Sequence, residues 1–259
     1  MSSNTMLDRL DWYYREQGIS AKDFKCKHVK ACQSVCKSGE MVSLPAAYVG
    51  PEYEKGTLPR LLFVSSDTND ASWVKMMGTG WGSLEDEREV NLKDHRSPRA
   101  NTHWGQTLDL AVKLLSQYSK GRLNKDICCD KIIEYIAHTR SVKCKDSTIG
   151  AKEGHPKMLS NCRGILVGEV KAMQPEIIVV QGARARSSLA GAFPVIRKVA
   201  MPGYPNTYYQ IVQFDSDHTA IMIIAKHPCA RGRNGWKRGE KKRFTDWASK
   251  SVQEVLPVA

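Results

Sequence analysis

An α/β fold is predicted for this chain, and two patterns predict it. Short, continuous apolar runs with the character of buried strands occur at residues 60–64, 177–180 and 219–225. Around them lie segments whose apolar residues recur at helical spacing, such as Leu108, Ala111, Val112 and Leu115, or Leu166, Val170 and Met173. Strands alternating with helices imply a short, mainly parallel central sheet flanked by helices. At 259 residues, with 41% hydrophobic and 25% charged, the chain is expected to form one domain. Residues 1–45 are expected to form an N-terminal helix and arm, and residues 60–259 the α/β core.

Residues 5–17 read as a helix with Met6, Leu10 and Tyr13 or Tyr14 on one face. A short basic segment follows with Cys26, Cys32 and Cys36; on a helical turn, Cys32 and Cys36 face the same way. Eight cysteines in a chain with no signal-peptide pattern argue for metal ligation over disulfides. Cys144 and Cys162 come more than a hundred residues later, so four thiolates would be united by folding. Zinc and a [4Fe–4S] cluster both accept four thiolates, and spacing does not separate them. Cys128 and Cys129 precede Ile132 and Ile133 and are expected in the core.

The strand at 60–64 runs into a polar loop, Ser65-Ser66-Asp67-Thr68-Asn69-Asp70, at the sheet edge where open α/β folds bind ligands. Residues 73–99, Gly-rich and charged, read as a long connection. Asn101-Thr102-His103-Trp104-Gly105-Gln106 leads into the next helix, and residues 135–140 form a strand carrying His138 and Arg140. After a loop with Gly150, Gly154 and Pro156, Ser160 and Asn161 are predicted N-cap residues, placing Cys162 in the first helical turn. Pro175 stops that helix before the strand at 177–180. Arg184 and Arg186 lie at the opening of another helix and suit phosphate contact. Residues 208–214 and 219–225 pair around the Asp215-Ser216-Asp217 turn, delivering His227-Pro228-Cys229. A basic, Gly-rich stretch follows with Arg231, Arg233, Trp236, Lys237 and Arg238, and residues 244–256 close the chain as an amphipathic helix.

The charge balance points to a polyanionic partner. Lysine and arginine number 39 against 27 acidic residues, a net charge of +12, and basic surfaces gain affinity by releasing counterions from phosphates. No apolar run reaches transmembrane length. A polyanionic partner is expected, with no membrane association, a monomeric state and a cytoplasmic location.

In order along the chain, five segments resemble the uracil-DNA glycosylase superfamily, and specifically its iron–sulfur branch. Three carry the resemblance: Ser141-Val142-Lys143-Cys144, the Cys162 helix, and Gln174-Pro175-Glu176-Ile177-Ile178-Val179-Val180-Gln181-Gly182. The strand and loop at 61–70, and Ile223-Ile224-Ala225-Lys226-His227-Pro228, support it, and the set spans roughly residues 61–236. The resemblance implies a [4Fe–4S] cluster on Cys32, Cys36, Cys144 and Cys162. The family spaces its N-terminal pair by two residues; here three separate Cys32 from Cys36 and five separate Cys26 from Cys32, so Cys26 stands as an alternative to Cys32.

The resemblance also assigns roles. Asp67 falls where the best-known branch has its water-activating aspartate, with Asp70 a second candidate; the iron–sulfur branch usually has glutamate where Ser66 stands. His227 matches the histidine that stabilises charge on the departing base. Trp104 or His103 matches the aromatic that stacks on the extruded base. Arg140 replaces an asparagine that reads uracil, and a guanidinium only donates, which leaves His138 as a further base contact. Arg184, Arg186, Arg231, Arg233, Trp236, Lys237 and Arg238 would grip DNA, with Arg233 or Trp236 wedged into the vacated stack. The best-known branch blocks pyrimidine C5 with an aromatic at the Asn69 position. The small polar loop here suggests a glycosylase for a C5-modified pyrimidine, such as a hypermodified phage cytosine. Plain uracil excision and a non-catalytic DNA reader on the same fold are the alternatives.

Overall fold

The structure, a computed structural model, describes residues 5–20, 23–37, 41–43, 47–66, 103–119, 129–146, 155–229, 236 and 239–257. At its centre is a seven-stranded sheet. Its strands, in chain order, are β4 (Tyr48–Val49), β5 (Leu61–Ser65), β6 (Ile136–Arg140), β8 (Ile177–Gln181), β9 (Val195–Met201), β10 (Tyr204–Gln213) and β11 (Thr219–Ala225). Two small ribbons stand apart: β1 (Ile19–Ser20) with β2 (Asp23–Phe24), and β3 (Met41–Ser43) with β7 (Cys144–Asp146). The described helices are α1 (Met6–Glu16), α2 (Val29–Gln33), α3 (Pro51–Lys55), α4 (His103–Leu115), α5 (Cys129–Ile132), α6 (Pro156–Met173), α7 (Ala183–Leu189) and α8 (Glu240–Val255).

The sheet order is β4-β6-β5-β8-β11-β10-β9. The four inner strands β6, β5, β8 and β11 are mutually parallel; β4 pairs antiparallel with β6, and β10 pairs antiparallel with both β11 and β9. The sheet is therefore mixed and mostly parallel, as expected, with β4 and β9 at its two edges beyond the strands predicted. The two-residue β4 carries too few residues to show a strand period, and β9 is exposed over most of its length, so neither reads as a buried run. From β5 the chain crosses to β6 on one side, and then to β8 on the other. The β5–β8 boundary is thus the topological switch point, beside which ligands bind in such sheets.

Because strand side chains alternate, each strand feeds two cores. Leu62, Val64, Ile178, Val180 and Ile224 face α1 and α6, whereas Leu61, Phe63, Ile177, Val179 and Ile223 face α4 and α8. The β8 and β11 residues at these positions are fully or almost fully buried, as expected of strands covered on both faces.

The N-terminal arm packs into the first of these cores. Met6, Leu7, Leu10 and Tyr14 are buried, and Thr5 forms a capping box with Asp8. The Glu54 carboxylate accepts from the Met6 N–H at 2.8 Å. Tyr13 lies across α6, its hydroxyl donating to the Gly164 and Ile165 carbonyls at 3.2 and 3.1 Å. That approach needs Gly168: a Cβ there would meet the Tyr13 hydroxyl at 2.1 Å.

Helix α6 begins earlier than expected. His155 is its N-cap, with its ring nitrogen accepting from the Lys157 N–H at 3.2 Å, and Pro156 opens the first turn. Proline is favoured there because its missing N–H is one the helix leaves unbonded anyway. Ser160 and Asn161 therefore lie inside the helix, and Cys162 is well past the first turn. The helix ends at Met173 on Gln174, a left-handed cap with φ 46° ahead of Pro175. The hairpin of β10 and β11 forms as expected, closed by Phe214 N–H donating to the His218 carbonyl at 2.9 Å.

Candidate active site

The carboxyl ends of the four parallel strands are in register: Ser65 lies opposite Arg140 and Gln181, and Gln181 opposite Ala225. Just beyond this row are Ser66, Gly182 and His227, and one alternation before it is His138. Sequence positions more than 160 residues apart are thus gathered along one sheet edge at the switch point.

Local geometry fixes His227. The Gly182 N–H donates to the Ala225 carbonyl at 2.9 Å, and the Trp236 indole donates to the His227 carbonyl at 3.1 Å. The Cys229 N–H donates to His227 Nδ1 at 3.2 Å. Gly182 adopts φ +97°, and a Cβ there would come within 3.3 Å of the His227 Cβ. Accepting at Nδ1 puts the proton of neutral His227 on Nε2, so the ring presents an N–H donor away from its own backbone.

That nitrogen faces α4. His227 Nε2 lies 3.2 Å from His103 Nδ1, with ring centroids 4.9 Å apart. The start of α4 is anchored from two sides. Gln181 Nε2 donates to Thr107 Oγ1 at 3.0 Å, and Lys241 donates to the Gln106 side-chain oxygen at 3.0 Å. Trp104, half-buried, packs at 4.7 Å from the His138 ring. His138 is buried, with Nε2 2.9 Å from Ser65 Oγ; that hydroxyl donates to the Ser66 carbonyl at 3.0 Å and so accepts from His138 Nε2–H. The result is a wall of three imidazoles and an indole.

Of the residues predicted for the site, His103, Trp104, His138, Ser66, Arg140 and His227 come together at this sheet edge. Arg140 is buried in the Ser65 row. Arg184 and Arg186 are half-buried on α7, directly after Gly182. Trp236 packs on Phe244 with the rings tilted at 42° and centroids 5.1 Å apart, beneath Lys226, which pairs with Glu240 at 2.7 Å. Asp67, Asn69, Asp70, Arg231, Arg233, Lys237 and Arg238 lie outside the described residues, as do Cys128 and the whole 73–99 connection. Ser65, Gln106, Thr107 and Gln181 were not anticipated. Their one sequence signal is polarity at the ends of otherwise apolar elements.

Behind the site, Lys143 and Glu169 form an ion pair at 2.6 Å with side-chain exposures of 1% and 0%. Lys143 also donates to Thr139 Oγ1 and the Arg140 carbonyl, each at 2.8 Å. Glu169 accepts from Tyr14 at 2.6 Å and Thr139 at 2.9 Å. The pair thus joins α1, α6 and the end of β6.

Next to this network, Cys32, Cys144 and Cys162 are buried in one cluster with Val142 and Met158, and Cys36 packs against it. Backbone and amide donors point at the sulfurs: Lys143 N–H to Cys162 Sγ at 3.4 Å, and Asn161 Nδ2 to Cys32 Sγ at 3.3 Å. Hydrogen bonding from Cys144, ahead of the Asn161 contact, holds the Cys32 thiol down at about 6. The same thiol–thiol contacts push Cys144 up, and burial pushes Cys36 up to about 11. Cys26 is buried in the separate α1–α6 core. Among the described residues no group of His, Cys, Asp or Glu is arranged to hold a metal ion, and none of the described helices is long and apolar enough to cross a membrane.

No model of a known protein family matches the chain, and neither does any curated protein.

Proposed function

We propose that the protein is a monofunctional DNA glycosylase that hydrolyses the N-glycosidic bond of an extruded, modified pyrimidine. One observation carries this reading: His227, held with its donor on Nε2, stands among His103, Trp104 and His138 at the carboxyl ends of the parallel strands. The +12 charge of the chain supports a DNA partner.

In the proposed reaction the target nucleotide leaves the stack and its base lies along Trp104. Water adds to the sugar C1′ as the bond to the base breaks, and the proton it loses ends on the released base. The electron pair departs with the base and accumulates on the pyrimidine O2, where the Nε2–H of His227 donates. A donor fixed in advance at the point where charge develops acts chiefly in the transition state. Asp67, two residues past the end of β5 in the sequence, orients the water on this reading. Arg140, in the Ser65 row, offers donors only, which fits an acceptor-bearing C5 substituent better than the amide reading of plain uracil. Such bases occur in phage DNA, which would make the protein a defence enzyme.

Cys32, Cys36, Cys144 and Cys162 suit a [4Fe–4S] cluster by donor type, although no metal-holding arrangement is formed among the described residues. Four thiols gather in an apolar nest, and N–H groups aimed at two of the sulfurs favour the thiolate form a cluster requires. When bound, the cluster would be architectural, tying α2 and β7 to α6.

The test is base excision. Purified protein is incubated with DNA containing uracil, hypoxanthine, 5-hydroxymethylcytosine or its glucosylated form, and abasic sites are revealed with alkali. Cleavage of one substrate, lost in Asp67→Asn and His227→Ala, supports the reading. Tight, salt-sensitive DNA binding without excision from any substrate would replace it with a non-catalytic DNA reader.

A further inference from the structure

We propose that His103 is a built-in placeholder for the departing base: its Nδ1 occupies, in the free protein, the acceptor position that the pyrimidine O2 takes on His227 during reaction. The inference rests on the glycosylase reading and deepens it.

The proton inventory leads there. His227 Nδ1 already accepts from the Cys229 N–H, so its one proton in the neutral ring is on Nε2. The atom 3.2 Å from that Nε2 is His103 Nδ1, which must accept, placing the His103 proton on its own Nε2. A base oxygen that takes the Nε2–H of His227 therefore competes with His103 for the same hydrogen. Both cannot hold it in good geometry.

The pair could instead serve to orient His227, but the rest of the site already does that. Cys229 holds Nδ1, Trp236 holds the carbonyl, and the absent Cβ of Gly182 fixes how closely the ring approaches β8. His103 has the opposite character. It is half-buried on α4, its ring 6.5 Å from the His138 ring and 4.9 Å from the His227 ring, so a base entering this corner must displace it. Withdrawal of His103 also opens the face between Trp104 and His227 that a flat base would enter, since the His103 ring lies 6.4 Å from the indole and 4.9 Å from the His227 ring. The placeholder keeps the donor bonded until substrate arrives, at the expense of substrate affinity.

Two readouts on the full chain test this. In the free protein, nitrogen-15 NMR of the histidine rings is expected to show His227 protonated at Nε2 and bare at Nδ1, with His103 protonated at Nε2. This needs no variant. In single-turnover excision, H103F keeps a flat ring without an acceptor and is expected to lower the half-saturating substrate concentration by roughly three- to tenfold, the worth of one competing hydrogen bond. H103N, whose amide oxygen accepts, is expected to return it toward the wild-type value. His227 protonated at Nδ1 would overturn the proposal. So would an H103F variant with unchanged half-saturation, whether its excision rate falls or holds. Excision by the wild type with no such effect at His103 overturns the placeholder alone; no excision from any substrate overturns the glycosylase reading and the placeholder with it.

Discussion

Lys143 and Glu169 face each other at 2.6 Å behind the candidate site, sealed from water and with Thr139, Tyr14 and the Arg140 carbonyl completing their hydrogen bonds. A buried pair adds little net stability, but removing one partner strands the other charge. Glu169→Ala is expected to cost about 3–5 kcal/mol in urea unfolding. Lys143→Met combined with Glu169→Leu is expected to cost well under the sum of the two single changes, because no charge is then left buried. An additive double variant would show that the pair is not coupled.

Gly182 and His227 make a second coupled pair. Alanine at 182 must hold φ near +97°, a region essentially reserved for glycine, and press on the His227 Cβ at 3.3 Å. Gly182→Ala is expected to lose roughly 1–3 kcal/mol of stability and to reduce excision by more than that loss of folded protein explains. Wild-type excision from the folded variant would mean that His227 does not depend on this contact.

Two glycines of α6 one turn apart predict opposite outcomes. Alanine at Gly168 would collide with the Tyr13 ring and drive it off its carbonyl acceptors, an expected cost of about 1–3 kcal/mol. Alanine at Gly164 meets nothing within 4 Å, so removing a helical glycine is expected to stabilise by up to about 1 kcal/mol. Thermal melts of the two variants check the sign of each.

Tyr13 and Tyr118 predict the alkaline limit. Burial, followed by the nearby Glu169 charge, raises Tyr13 from 10.0 to about 12, and burial raises Tyr118 likewise to about 12. The phenolate is disfavoured in the folded state, so the unfolded chain loses its protons first. Their contribution is intact below pH 10 and is lost progressively as pH rises from about 10 through 12. Urea midpoints measured across that window are expected to fall, and to fall less steeply in Tyr13→Phe. An identical slope in the variant would contradict the assignment.

For the thiol nest, anaerobically purified protein is expected to be brown, to carry iron and sulfide, and to lose both in Cys144→Ser or Cys162→Ser. Cys26→Ser is expected to keep them, since Cys26 packs in the α1–α6 core. Colourless protein carrying one zinc per chain would replace the cluster with a zinc site.

Much of this architecture was legible in the residues themselves. The strands around Phe63, Val179 and Ile223 are apolar runs that only a sheet covered on both faces needs, and the Gly182 turn and His227-Pro228 strand end follow from local chemistry. The start of α6 was misread because Ser160 and Asn161 are good caps, while Pro156 in a Gly-rich context looked like loop rather than a first turn. The Lys143–Glu169 pair left no such trace: nothing in the sequence marks a lysine beside Cys144 and a glutamate in the following helix as partners until folding brings them together. The His103–His227 bond likewise joins residues 124 apart and depends on how α4 docks against β8 through Thr107 and Gln181.

The most direct test of the central claim is single-turnover excision by His227→Asn beside the wild type, on the DNA substrate the wild type cleaves, with DNA affinity measured for both. If His227 carries the charge of the departing base, the rate falls by roughly a hundredfold or more while DNA binding stays within a factor of about two. A variant that excises at the wild-type rate would contradict the account.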